Sequence, residues 1–221
     1  MNKSKPIQRY IETPLIYTGG NLIMDSTIQR GLPSIMDNQE DLIMDKSAEV
    51  LFRNKPKSVL NIGFGLGIID TYIKERNPEN HTIVDIHPDV VKHANSMGFN
   101  NIIQSDWRDY VEQCVKNGIK FDSIYFDTYV FDWSMHEWLN FGEAVESILN
   151  NGGVFCWFNG SAAENVDFTY KFKTQNPNWE LHSETISIFD IMDRCRENGK
   201  TDFDWKAMNA KNYELNWFIK K

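Results

Sequence analysis

Residues 59 to 71 read Val-Leu-Asn-Ile-Gly-Phe-Gly-Leu-Gly-Ile-Ile-Asp-Thr, an apolar run that enters three glycines at alternate positions and then a segment of helical character. That order is strand, tight turn, helix, and it directs the chain toward an open α/β sheet with its ligand at the carboxyl ends of the strands. Gly63, Gly65 and Gly67 let the backbone bend sharply and come close to a ligand with no Cβ in the way, while the next helix offers unpaired N–H groups. Turns and close strand–helix packing use glycine in the same way, so the pattern needs a second element beside it.

Thr82-Ile83-Val84-Asp85 supplies one. This is a second apolar strand closed by a carboxylate about twenty residues beyond the glycines, the spacing at which an acid meets a ribose hydroxyl pair in doubly wound folds. The competing account of Asp85 is a solvated strand end. A dinucleotide site would carry Gly-x-Gly-x-x-Gly, and the shorter spacing here suits S-adenosylmethionine at least as well as NAD. A third strand ends near Asp106 and Trp107, where a carboxylate can accept from an adenine amine and a backbone amide can serve a ring nitrogen. Helix capping by Asp106 explains the same residue.

With 221 residues the chain is long enough for one full core, and its net charge of −8 disfavours a general nucleic-acid binder. No apolar run approaches membrane-spanning length and no signal core stands at the N-terminus, so a cytoplasmic protein without membrane or nucleic-acid partners is expected. Cys114, Cys156 and Cys195 are far apart and lack Cys-x-x-Cys spacing, which indicates neither a zinc site nor a disulfide framework.

Alternating strands and helices follow along the chain. Strands are expected at Ser58 to Ile62, Thr82 to Ile86, Asn101 to Gln104, Ser123 to Phe126 and Val154 to Phe158. Helices are expected over Ile68 to Arg76, Pro88 to Ser96, Trp107 to Asn117 and Glu137 to Leu149, the last stopped by Asn150-Asn151-Gly152-Gly153. Trp179 to Ile188 and Tyr213 to Ile219 read as an antiparallel pair at the end of the sheet. The fold class is therefore Rossmann-like α/β, a mostly parallel seven-stranded sheet with helices on both faces. Residues 51–221 would form this domain and residues 1–50 an extension. In that extension, Leu15 to Tyr17 and Leu22 to Met24 flank a Thr-Gly-Gly-Asn turn, and a helix reaching Leu51 follows. A segment so placed can fold over the ligand end of the sheet as a lid, although Asp37, Glu40 and Asp41 are also acids favoured at a helix start.

Several blocks together resemble one family. Leu60 to Thr71 is similar to the cofactor motif of the fungal and plant type of protein arginine N-delta-methyltransferase, which is related to guanidinoacetate N-methyltransferase. His81-Thr82-Ile83-Val84-Asp85-Ile86-His87-Pro88 resembles its second-strand block, Tyr125-Phe126-Asp127-Thr128-Tyr129 the block whose aspartate holds the guanidine, and Phe158-Asn159-Gly160 with Glu164-Asn165 the block after the next strand. Met36-Asp37-Asn38-Gln39-Glu40 corresponds in order to a family segment ending in Trp-Glu. The resemblance spans about Tyr17 to Lys173. Gln39 stands where the family has tryptophan, and Asp85 where it normally has glutamate. The ankyrin-like region of the fungal enzymes has no counterpart ahead of these blocks, which shifts the expectation toward a small guanidino compound, free arginine or an arginyl peptide.

The resemblance implies a class I methyltransferase with S-adenosylmethionine as its cofactor. Asp127 and Glu40 would be the catalytic and guanidine-binding acids, with Tyr129 lining the acceptor pocket; His136, which follows Asp127 closely in the sequence, could border that pocket as a proton shuttle. Gly63, Gly65, Gly67, Asp85, Asp106 and Trp107 would hold the cofactor, joined by Tyr17 and Met44 from the lid. Tyr129 reads equally well as core, His136 as a surface or capping residue, and the methionines and aromatics near the lid as ordinary packing. His87 before Pro88 is expected to begin a helix. Trp133 and Trp138 could form an apolar wall or the contact of a homodimer. Two other classes of function stay open, methyl transfer to a different amine or to oxygen, and cofactor binding without catalysis. Two carboxylates converging near the methyl would distinguish guanidine chemistry from both.

Overall fold

The computed structural model describes residues 5–25, 34–128, 142, 144–158, 162–199 and 212–221. Its main sheet is assembled from β4 (Ser58–Ile62), β5 (Asn80–Asp85), β6 (Ile102–Gln104), β7 (Phe121–Phe126), β8 (Leu149–Trp157), β9 (Glu180–Ser187) and β10 (Asn212–Ile219). The spatial order is β6-β5-β4-β7-β8-β10-β9, with β4 to β8 parallel to one another and β10 antiparallel to both β8 and β9. The expected antiparallel pair is therefore present, and β10 inserts between β8 and the edge strand β9. The order reverses between β4 and β5 on one side and β7 on the other, which opens a crevice at the carboxyl ends of the strands.

Two-residue alternation along the strands divides the core into two layers. On one face Val59, Tyr125, Val154, Cys156 and Trp217 pack with α2 (Asp41–Leu51), α3 (Ile68–Glu75), α4 (Pro88–Ser96) and α7 (Ile188–Glu197). On the other, Leu60, Ile62, Ile124, Phe126, Phe155 and Trp157 pack with α5 (Trp107–Asn117), residues 144–148 and α6 (Ala162–Gln175). Both faces are covered, as a parallel sheet requires. Helix starts follow local chemistry: the side chains of His87, Asp106 and Ser187 accept from backbone N–H groups two residues on, and such caps are each worth about 1 kcal/mol.

Residues 150–153 depart from the expected loop. They lie within β8, where a register shift between Phe121 and Ser123 of the neighbouring strand absorbs the extra residues. Asp122 accepts from the Asn150 side chain at 2.8 Å, and the Gly152 and Gly153 main chains bond to Lys220. The glycines thus mark a bulge, and this strand begins five residues earlier than the apolar pattern indicates. Of the helix expected over Glu137 to Leu149, residues 142 and 144–148 are helical and Leu149 already belongs to β8; residues 137–141 and 143 lie outside the described residues.

Ahead of the main sheet, β1 (Leu15–Thr18), β2 (Asn21–Met24) and β3 (Ser34–Asp37) form a small antiparallel sheet, with β1 and β2 joined by the expected turn. The third strand and the preceding helix α1 (Lys5–Glu12) add to what the sequence pattern indicated. Among the described residues, no helix is long and apolar enough to cross a membrane.

Candidate active site

The glycine turn at the end of β4 is shaped from both sides. Gly63 has φ +94°, and a Cβ on it would overlap the main-chain oxygen of Asp127 at the end of β7. No residue with a side chain fits there, so the ends of the two central strands touch through bare backbone. At Gly65 a Cβ would run into the Met36 sulfur, which itself accepts from the Leu66 N–H at 3.2 Å. β3 is thereby seated on the turn. Gly67 faces the Phe64 ring and caps α3.

A buried polar group holds the turn from below. Asn61 donates to the Gly63 carbonyl and to Asp70, each at 2.8 Å, and His81 meets the other Asp70 oxygen at 2.9 Å. Asp70 is fully buried, and burial raises its pKa against the opposing pull of His81 and Asn61. Sequence reasoning left these residues unassigned. The signal was an Asn and an Asp inside otherwise apolar stretches, a placement that demands partners.

Asp85 ends β5 with its carboxylate accepting from the main-chain N–H groups of Phe64 at 2.9 Å and His87 at 2.8 Å. Its pKa is raised, because burial outweighs these hydrogen bonds. Across the glycine turn, half-buried Asp127 donates its own N–H to the Ile62 carbonyl at 2.9 Å. Its carboxyl is pushed up to about 7, first by burial and then by the charge of Asp85. A carboxyl raised by burial and by a neighbouring acid in this way marks a place that favours a cation.

Both acids line one cleft with Gly63, Phe64, Gly65, Asp106, Trp107, Thr128 and Phe158, and the cover over it supplies Ile7 and Tyr10 from α1, Ile35 and Met36 from β3, and Glu40. Glu40 precedes α2, and its side chain forms no capping hydrogen bond to that helix. Asp106 does cap α5, accepting from the Arg108 N–H and from its guanidinium at 3.0 Å, while Arg108 lies 4.5 Å over the Trp107 ring. Capping and cleft lining therefore coexist in this residue.

His87 has a structural part that sequence reasoning saw only in outline. It is 1% exposed; Nδ1 accepts from the Asp89 N–H at 3.1 Å, which makes Nε2 the protonated nitrogen. Nε2 lies 3.0 Å from both the Tyr10 and Thr13 carbonyls. The start of α4 thus holds the end of α1 beside the cleft.

Glu40, Gly63, Gly65, Asp85, Asp106, Trp107 and Asp127 are brought together, and three other candidates are placed elsewhere. Met44 is fully buried, packed in the core with the Tyr125 hydroxyl 3.5 Å from its sulfur. Tyr17 stands behind the turn, stacked on His93 at 3.8 Å between centroids, with its hydroxyl 3.5 Å from the Gly65 carbonyl. Burial and the charges of Asp85 and Asp89 raise its pKa, so it remains a donor. Gly67 is turned away, as above. Gln39 is buried, with its carbonyl 3.5 Å from the Cys195 sulfur. Tyr129, His136, Trp133, Trp138, Asn159 and Gly160 lie outside the described residues, as do the side chains of Glu164 and Asn165. The three cysteines are buried free thiols.

A seven-stranded sheet in this order, with a glycine turn after its first strand and an acid ending its second, defines the Rossmann-like class I methyltransferase fold. Solved structures agree: human methyltransferase-like protein 13 in complex with SAH aligns with a TM-score of 0.54 at 17% identity, covering 83% of this chain and 81% of that one. The O-methyltransferase TomG of Streptomyces achromogenes in complex with SAM aligns at 0.55 and 9% identity, covering 100% and 91%. Within that class, the family model described as guanidinoacetate N-methyltransferase matches residues 25–176, and the chain belongs to this family. Similar proteins are the protein arginine N-methyltransferase 2 of Candida glabrata, 37% identical over 164 residues, and of Yarrowia lipolytica, 34% identical over 165. Each alignment takes in 70% of this chain, and the chain spans 38% and 34% of those two relatives.

Proposed function

We propose that this protein transfers a methyl group from S-adenosylmethionine to a guanidino nitrogen, either of arginine, free or in a peptide and at its delta nitrogen, or of a small guanidino compound. The observation that carries the reading is Asp127, a carboxyl raised to about 7 beside a second acid, at the strand end that touches the glycine turn. Membership of the guanidinoacetate N-methyltransferase family and the names of the fungal relatives support the same acceptor class.

The cleft suits the cofactor by its own chemistry. Bare backbone at Gly63 and Gly65 leaves room for its methionine portion, Asp85 can meet its ribose, and Ser105, Asp106 and Trp107 stand where its adenine would lie. When bound, the sulfonium supplies an already activated methyl, so the protein's work is alignment and exclusion of water. A guanidinium, with its pKa above about 12, has almost no nucleophilic lone pair at neutral pH. Asp127 and Glu40 would bind the planar cation by charge-assisted hydrogen bonds and draw positive charge toward the nitrogens they hold, leaving the remaining nitrogen richer in electrons. One of the two then accepts the proton released as the C–N bond forms. β3 and the turn at Glu40 close over this chemistry as the lid.

The test is transfer from labelled S-adenosylmethionine to arginine, guanidinoacetate and arginyl peptides, with the product located by fragmentation. Label on a guanidine nitrogen is the expected result. Confirmed cofactor binding with no label on any guanidine would pass the reading to another acceptor or to binding without catalysis.

The raised carboxyl of Asp127 also gives a pH dependence. Guanidinium binding needs Asp127 ionised, so affinity for a guanidino compound in the SAH-loaded protein should be constant above about 7 and fall about tenfold per unit below it. With S-adenosylmethionine bound instead, the added positive charge should move the inflection to lower pH. Calorimetry across pH 5 to 9, about the range the raised carboxyl spans, measures both; a flat profile would contradict the assignment.

A further inference from the structure

Glu40 is flanked by two residues that are fastened from behind the cleft. Asp41 receives the Tyr72 hydroxyl at 2.8 Å on one oxygen, and Arg194 at 3.0 Å and the Asn198 amide at 3.2 Å on the other. Arg194 reaches further, to Asp45 at 3.5 Å, which also pairs with Arg76 at 3.1 Å. On the other flank, the buried Gln39 carbonyl lies 3.5 Å from the sulfur of Cys195. Arg194, Cys195 and the adjoining Asn198 come from α7 and the turn after it, Tyr72 and Arg76 from α3. The Arg194 and Asp41 side chains are only 29% and 17% exposed, so the pair is shielded from solvent more than an ordinary surface bridge.

Isolated surface ion pairs contribute little, but a planar guanidinium that spans two carboxylates on successive turns of α2 fixes orientation as well as distance. Its target is Asp41, the first residue of α2. A shift of that residue rotates the turn before it, and the Glu40 side chain rotates with the turn. We infer that α7 is a positioning element for the acceptor side of the cleft, with Arg194 and Tyr72 setting the direction of Glu40 through Asp41. This inference rests on the reading of Glu40 as an acceptor-binding acid.

Arg194→Ala should raise KM for the guanidino acceptor about tenfold, since small misplacements of a binding group are costly. SAH affinity should be unchanged, because the glycine turn and Asp85 are held by separate bonds. Hydrogen exchange of the amides of residues 39–41 should accelerate. Tyr72→Phe, which removes one bond to the same carboxylate, should do the same to a smaller degree. In a Glu40→Gln background, Arg194→Ala should add nothing further to KM. A purely structural role would lower the amount of folded enzyme and leave KM alone. Wild-type turnover in Glu40→Gln alone would remove the Glu40 reading. Full protection of 39–41 in both Arg194→Ala and Tyr72→Phe, or effects that simply add to those of Glu40→Gln, would overturn the positioning role of α7.

Discussion

Asp127→Asn should abolish methyl transfer, by about a thousandfold or more in kcat/KM, while leaving affinity for SAH nearly intact. Asparagine has the same shape, and the main-chain bond from residue 127 to the Ile62 carbonyl does not depend on the side chain. What is lost is the negative charge, and one amide face now points a donor at a cation that only donates. SAH is the right probe of cofactor binding because it lacks the sulfonium, whose charge Asp127 would also feel. Turnover by titrated active sites and SAH binding by calorimetry separate the two effects. Near wild-type kcat/KM in the variant would show that the guanidine is held elsewhere.

The second large effect belongs to Gly63. Gly63→Ala puts a methyl into the space of the Asp127 carbonyl oxygen and forces a left-handed φ of +94° on a residue with a side chain. The β4 and β7 ends must then separate, and the glycine turn and Asp127 move apart together. SAH should no longer raise the melting temperature, and activity should be lost. Gly152→Ala is the matched control: its φ is +75°, also left-handed, yet a Cβ there meets open space, and it lies in the β8 bulge away from the cleft. It should keep SAH binding. Loss of binding in both would mean that backbone strain alone, and not the closeness of the two strand ends, accounts for the effect.

Much of the architecture was legible because its signals are local. Pro88 at the first turn of α4, Gly118 after α5 and the apolar blocks of β4, β5 and β7 each announce an element within a few residues. The β8 boundary failed for the opposite reason, since a bulge is decided by the strand alongside and Asn-Asn-Gly-Gly looks the same in a loop. α1 was overlooked although Ile7, Tyr10 and Ile11 have helical spacing. At the site, residues at strand ends fell where topology demands, which is why Gly63, Asp85 and Asp127 could be found together. Met44 and Tyr17 do not line the cleft, because an apolar or aromatic residue near a lid carries no sign of which way it faces. Asp70 and His81 pair between a helix and the next strand, and no spacing rule joins such positions. Gln39 shows the same limit: its burial beside Cys195 depends on a helix 156 residues further along the chain.

His87 gives α1 a standing that eight residues would not have alone, since helices so short are marginal in water. One wall of the cleft, Ile7 and Tyr10, is on loan from a segment whose anchor lies in another part of the chain. Handling of the protein has to respect this loan. A fragment trimmed to begin at β1 would keep every strand of the main sheet and still lose that wall. It would also remove both carbonyls that the His87 imidazole meets and the Tyr10 ring packed on it, opening to water a residue two positions from the acid that holds the glycine turn.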